Sequence, residues 1–249
     1  MSPGGSSRVG RKPGREGLHC RLPISIRNRE TDSMRYAAER AETAYFMRRL
    51  YRQGLTTTSG GNLSRRVSAD EVVLTASKSD KGELQPEQVG IVRLDGENLT
   101  PELSLSIETS MHLAIYRARP DVDAIVHAHP VTASAFCATR MPLNTHYTAE
   151  GYAIVGDPVF VPYELMGTSD LAERVAAGLA DGALCTLLEN HGVLAVGKTL
   201  LQAFDRLEVL EIAARHTVLL HQLGQAMELQ PSQLDELDIL MGRDPAPRD

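Results

Sequence analysis

Three histidines carry the strongest chemical signal in the chain: His127 and His129 in the stretch AIVHAHP, and His191 in ENHGV. Successive side chains of a β-strand point to opposite faces, so His127 and His129, two apart, share a face and can grip one ion. An H-x-H pair alone is a weak motif. His191 lies between two apolar runs, Leu184–Leu188 and Val193–Val196, in a turn where Gly192 lets the backbone approach another element closely. Three imidazoles suit zinc or a similar borderline ion and leave a coordination position open, which separates catalytic from structural sites. The plain alternative for each ring is a core or capping histidine hydrogen-bonded to a carbonyl.

Other polar groups could complete such a site. Glu108 falls in the first turn of a predicted helix, four residues before His112, where a carboxylate complements the helix dipole and can pair with Arg or His. The loop TTTSGGNLS, Thr56–Ser64, offers hydroxyls, unobstructed amides at Gly60 and Gly61, and the Asn62 amide; such a loop is either an anion-binding nest or an ordinary turn. Ser77, Lys78 and Ser79, and Ser104 and Ser106, add donors near a strand end and a helix start.

These groups need elements to position them. Helical spacing runs from Thr31 to Arg52 and stops at Gly54; Leu63–Val67 and Val72–Thr75 read as a hairpin, and Val89–Leu94 as a further strand. Ser106–Arg119 is a helix ended by Pro120, Ala124–His129 a strand, and Thr132–Thr139 and Leu171–Asp181 helices. A long helical stripe follows Thr199, reaching Val218, and the pattern weakens beyond Pro231. Mixed helices and short strands, with no repeat and no G-x-G-x-x-G, predict a single three-layer α/β/α domain. The expected organisation is a disordered basic leader over 1–30, one catalytic domain over 31–230 and a weakly ordered C-terminal tail over 231–249.

Bulk properties narrow the function. A net charge of −6 and a pI near 5.8 argue against nucleic-acid binding. Residues 1–29 hold seven Arg or Lys against Glu16 alone, leaving the remainder strongly acidic; this Gly-, Ser- and Pro-rich leader has no apolar h-region and no amphipathic face, so it reads as neither secretory signal nor transit peptide. No apolar run is long enough for a membrane span. Cys20, Cys137 and Cys185 are odd in number and far apart, which opposes a disulfide framework and points to the cytoplasm.

Taken in order, SGGNLS, SIETSMH, HAHP, the His146–Tyr147 pair and NHG make the chain resemble the class II aldolase and adducin head-domain family, in particular its L-fuculose-1-phosphate aldolases, from about Tyr36 to Leu220. The resemblance implies a central, mainly antiparallel sheet. It implies a metal, zinc or another divalent ion such as Mn2+ or Co2+, held by His127, His129 and His191, with Glu108 as a further ligand or as the base. It further implies a phosphate group held by Ser59, Gly60, Gly61, Asn62, Ser77 and Ser106, and a Tyr147 lent to a neighbouring subunit's site in a homotetramer. The implied reaction is cleavage of a ketose 1-phosphate, L-fuculose 1-phosphate or a deoxy- or methylthio-ribulose 1-phosphate, to dihydroxyacetone phosphate and an aldehyde through an enediolate stabilised by the ion.

Two positions depart from the family pattern. Lys78 stands where the aldolases usually have glycine, and is read as a phosphate partner ahead of the plain alternative, a solvated loop lysine; Ile107 replaces the second serine before Glu108. Glu189, beside the metal turn, is a candidate for orienting a ligand. The same scaffold hosts pentulose-phosphate 4-epimerases, sugar-phosphate dehydratases, decarboxylases and non-enzymatic adducin heads, which fold alone cannot separate.

Overall fold

The computed structural model describes Met1 and residues 35–245. The basic leader expected over 1–30 lies, apart from Met1, outside the described residues. From Arg35 the chain runs into helix α1, Ala37–Arg52, which buries Thr43, Met47 and Leu50 at helical spacing and stops before Gly54, whose φ of +69° suits glycine.

Seven strands follow: β1 (Asn62–Arg66), β2 (Glu71–Thr75), β3 (Val89–Arg93), β4 (Ala124–Ala128), β5 (Val159–Val161), β6 (Cys185–Leu188) and β7 (Gly192–Gly197). They form one sheet in the order β3-β2-β1-β4-β7-β6-β5, antiparallel except between β5 and β6. The helices after α1 are α2 (Thr109–Ala118), α3 (Val131–Cys137), α4 (Ala149–Val155), α5 (Ser169–Leu179), α6 (Leu200–Leu223) and α7 (Pro231–Leu240).

Strand alternation builds two cores. Leu63, Val73, Val126 and Val193 point to one face, against Met47 and Leu50 of α1, Phe136 of α3 and Phe204 and Leu207 of α6. Val72, Ile125, Leu194 and Val196 point to the other, against Met111 and Ile115 of α2 and Leu171 and Val175 of α5. Each fully buried Leu, Ile or Val contributes about 1.5–3 kcal/mol, so both faces are held firmly. The result is the three-layer α/β/α arrangement with a mainly antiparallel sheet that the sequence predicts. Among the described residues no helix is long and apolar enough to cross a membrane.

Two local expectations need correction. The tail from 231 begins with a helix, not a weakly ordered segment: Pro231 takes the first turn, Gln230 and Gln233 cap each other reciprocally, and Leu234 and Asp238 are buried. The helix predicted from Ser106 begins at Thr109, leaving Glu108 at its N-cap.

Candidate metal centre

The centre forms where β1, β4 and β7 end together. Asn62 pairs with His127 across β1 and β4, and His127 with Leu194 across β4 and β7. His127 and, one residue past the strand's end, His129 turn to the α2 side of the sheet, while Val126 and Ala128 turn to the α1 side. Glu211 of α6, itself buried, accepts the amides of Thr132 and Ala133 and so seats the start of α3 directly after His129 and Pro130.

His127 is fully buried, and its Nδ1–H donates to the Val193 carbonyl at 2.9 Å. That bond leaves the Nε2 lone pair free to ligate. Nε2 of His129 lies 3.2 Å from Nε2 of His127. His191 arrives from the β6–β7 turn, where Asn190 adopts φ +53°. Its Nε2 is 3.0 Å from Glu108 Oε1, and the other carboxylate oxygen of Glu108 is 3.3 Å from His127 Nε2. The three imidazoles offer ligand atoms that all lie within 4.8 Å of one another.

Two glycines make room for this packing. A Cβ at Gly192 would stand 2.3 Å from His129 Cδ2 and 2.8 Å from the Ala128 carbonyl, and one at Gly60 would stand 2.8 Å from His129 Nδ1. Any larger residue would displace the ring.

The donor set fits a divalent ion. Zinc takes imidazole nitrogen at about 2.0–2.1 Å, which puts two tetrahedral ligands about 3.3–3.4 Å apart, close to the 3.2 Å between Nε2 of His127 and His129. Apart from the His191 ring 3.0 Å away, Glu108 Oε1 is buried without a hydrogen-bond partner, a cost that a cation would offset. Burial lowers the pKa of His127; burial, helped by His127 and His191, pushes that of His129 down to about 3. Both rings are therefore neutral near pH 7, the form that binds metal. Burial opposes the charge of Glu108, but His127, His191 and the Asn62 amide hold its carboxyl well below the usual carboxylate range.

Glu108 is oriented by Asn62, whose Nδ2 donates to Glu108 Oε2 at 2.6 Å and to Ser106 Oγ at 3.1 Å. The ring of His112, one helical turn on, meets the far end of the Asn62 amide, at Oδ1. Beside this group opens a cavity of about 250 Å³ lined by Glu108, His129 and His191. All seven residues singled out for phosphate line it too: Ser59, Gly60, Gly61 and Asn62 from one loop, Ser77 and Lys78 from a second, and Ser106 before α2. Gly61 has φ +71°, and a Cβ there would meet the His127 carbonyl at 2.8 Å, so this loop passes tight against the metal strand. Lys78 has φ +55°, in the left-handed region that favours glycine.

Tyr147 is not brought to this cavity; it lines a separate one with Leu220, His221, Gly224 and Ala226. Glu189 accepts the Tyr163 amide at 2.9 Å and so ties down the loop after β5 instead of a histidine. A separate cavity of about 470 Å³ lies between α4, α5 and α7 and is lined by none of the three histidines. Two residues of the site escape sequence reasoning: Lys81, whose SKSDKG context looks like a solvated turn, and Met166, an isolated methionine whose proximity depends on the Gly167 loop packing on Ile107.

Residues 41–218 match the sequence pattern of the Class II Aldolase and Adducin N-terminal domain. The chain is 32% identical over 203 residues to a 5-deoxy-D-ribulose 1-phosphate aldolase from Bacillus thuringiensis, covering 80% of this chain and 93% of that one. It is 33% identical to a 3-oxo-tetronate 4-phosphate decarboxylase from Haemophilus influenzae, covering 68% and 81%. A solved L-fuculose 1-phosphate aldolase superposes with a TM-score of 0.76 at 28% identity, covering 82% of this chain and 96% of that one.

Proposed function

This chain belongs to the class II aldolase and adducin N-terminal domain family, and from that premise we propose that it is a metal-dependent aldolase cleaving a ketose 1-phosphate, L-fuculose 1-phosphate or a deoxy- or methylthio-ribulose 1-phosphate, to dihydroxyacetone phosphate and an aldehyde. The observation that carries this reading is the convergence of His127, His129, His191 and Glu108 on one point beside a cavity rich in anion donors.

His127, His129 and His191 hold the ion, with Glu108 beside them, and three imidazoles make zinc the first choice, ahead of Mn2+ or Co2+. When bound, the ion supplies Lewis-acid polarisation of the substrate's carbonyl and hydroxyl oxygens and steadies the negative charge that develops as the carbon–carbon bond breaks.

The protein's own groups do the rest. The amides of Gly60 and Gly61, the Asn62 side chain and the hydroxyls of Ser59, Ser77 and Ser106 hold the phosphate and fix the reacting carbons against Glu108. As the bond breaks, its electron pair stays on the ketone half as an enediolate; the hydroxyl proton released as the aldehyde forms passes to the Glu108 carboxylate, which delivers it to that carbon, restoring the ketone as dihydroxyacetone phosphate. Tyr147, lent by a neighbouring subunit of a homotetramer, serves the oxygen of the departing aldehyde; its placement away from the cavity within one chain supports this division of labour. The free, buried thiols of Cys137 and Cys185 accord with a cytoplasmic enzyme.

The Haemophilus influenzae relative favours decarboxylation of a sugar-acid phosphate as the second reading. Purified enzyme offered ketose 1-phosphates and 3-oxo sugar-acid phosphates in separate assays distinguishes the two. An aldehyde released together with dihydroxyacetone phosphate from a ketose 1-phosphate supports the aldolase. Carbon dioxide released from a 3-oxo-tetronate 4-phosphate, which also leaves dihydroxyacetone phosphate, with no cleavage of the ketose phosphates supports the decarboxylase.

A further inference from the structure

Lys81 stands apart among the residues around the cavity. It lies on the loop after β2, its amide donates to the Thr58 carbonyl at 2.9 Å, and it thereby ties this loop to the Gly60–Gly61 segment. Only 3% of the residue is exposed, yet it lines the same cavity as Ser77, Asn62 and Ser106. Its Nζ donates to the Ala76 carbonyl at 2.7 Å and to Ser79 Oγ at 3.2 Å, both neutral oxygens. An ammonium has three hydrogens, so one is left for a further acceptor.

Buried cations in proteins are paired with an anion or give up their charge. Among the described residues no carboxylate forms an ion pair with Lys81, and burial, unopposed by any neighbouring acid, pushes its pKa down to about 8. The ammonium still predominates at neutral pH. A charge so placed attracts an incoming anion more strongly than the exposed Lys78, which water screens.

We propose that Lys81, not Lys78, is the cation that binds the substrate's phosphate, the dianion supplying the counter-charge that the folded chain withholds. The proposal rests on the aldolase reading for the identity of the phosphorylated molecule, but the anion site can be probed without turnover, with inorganic phosphate. Lys81→Met keeps the length and apolar stem and removes the charge; Lys81→Gln keeps a donor for the Ala76 carbonyl and serves should the first variant not fold.

In calorimetric titration of the metal-loaded enzyme, loss of Lys81's charge weakens inorganic phosphate by about 10- to 100-fold, the range of one charge-assisted hydrogen bond. It raises KM for the cleaved substrate more than it lowers kcat, and Lys81→Arg recovers part of the loss. Lys78→Ala changes phosphate affinity by less than about threefold, as expected of a solvated charge. Crystals of the unaltered enzyme soaked in phosphate show the anion within hydrogen-bonding distance of Lys81 Nζ. Unchanged phosphate affinity in Lys81→Met and Lys81→Gln, a loss confined to Lys78→Ala, or phosphate seated away from Nζ overturns the proposal. Phosphate binding that depends on Lys81 in an enzyme cleaving no ketose phosphate upholds the anion site and removes the aldolase reading.

Discussion

His112 Nε2 lies 2.5 Å from Asn62 Oδ1, and this contact decides which end of the Asn62 amide faces Glu108. Both hydrogens of Asn62 Nδ2 are committed, to Glu108 and Ser106, so its oxygen must accept from the ring. With Nε2 protonated, His112 Nδ1 accepts the Ser64 hydroxyl at 2.6 Å, and Ser64 in turn accepts from Tyr116 at 2.8 Å. Glu108 at the N-cap of α2, with His112 and Tyr116 along the same face of that helix, therefore meets Asn62 and Ser64 of β1 in one directed chain of hydrogen bonds. A neutral imidazole is required throughout.

Burial, with a smaller push from His127, lowers the pKa of His112 from 6.5 to about 3, against an opposing pull from Glu108. Below pH 6.5 the unfolded chain takes up a proton that the folded chain refuses until about pH 3. This contribution to stability is thus full above pH 6.5 and is lost as the pH falls through that window, by at most about 1.4 kcal/mol per pH unit. His112→Gln destabilises by roughly 1–3 kcal/mol at pH 7.5, and its deficit against the unaltered protein shrinks between pH 6 and pH 4 in denaturant titrations. A deficit independent of pH would mean that His112 is not held neutral.

Glu108→Gln keeps the size of the side chain and removes its basicity. Cleavage falls by about 10²–10⁴-fold, the usual contribution of a positioned acid or base, while elemental analysis finds the metal retained by the three histidines. Metal lost together with activity assigns Glu108 chiefly as a ligand.

Tyr147→Phe slows aldol cleavage while exchange of the ketone's α-proton in dihydroxyacetone phosphate stays near normal, because the tyrosine acts only at the aldehyde oxygen. Equal loss of both activities removes that assignment, and sedimentation as a monomer removes the shared site.

Burial raises the pKa of the Cys137 and Cys185 thiols to about 12, so both are protonated at pH 8. Peptide mapping after iodoacetamide treatment of the folded enzyme finds neither alkylated, and both become so in denaturant. Rapid labelling of either in the folded state contradicts the packing around β6 and α3.

What the sequence discloses is set by how local the determining interactions are. Alternation along AIVHAHP puts His127 and His129 on one face because strand geometry alone dictates it, and the Gly192 turn is equally local. The pairing of Asn62 with His127 is not visible, since it depends on β1 and β4 finding each other across the sheet. Nor is the burial of Lys81, which follows from two loops meeting at Thr58. Helix α4 goes unread because Gly151 and small residues give it little periodicity, although Thr148 caps it through the Gly151 amide. Helix α7 is missed because few apolar side chains anchor it, with capping and Pro231 supplying what the pattern lacks.

The most direct test is elemental analysis of the purified enzyme and its His191→Ala variant, alongside dihydroxyacetone phosphate release before and after chelation. One divalent ion per chain, lost in the variant, with cleavage abolished by chelator and restored by adding the metal back, is the expected result. Enzyme that carries no metal and cleaves its substrate unaffected by chelator would contradict a catalytic centre built on His127, His129 and His191.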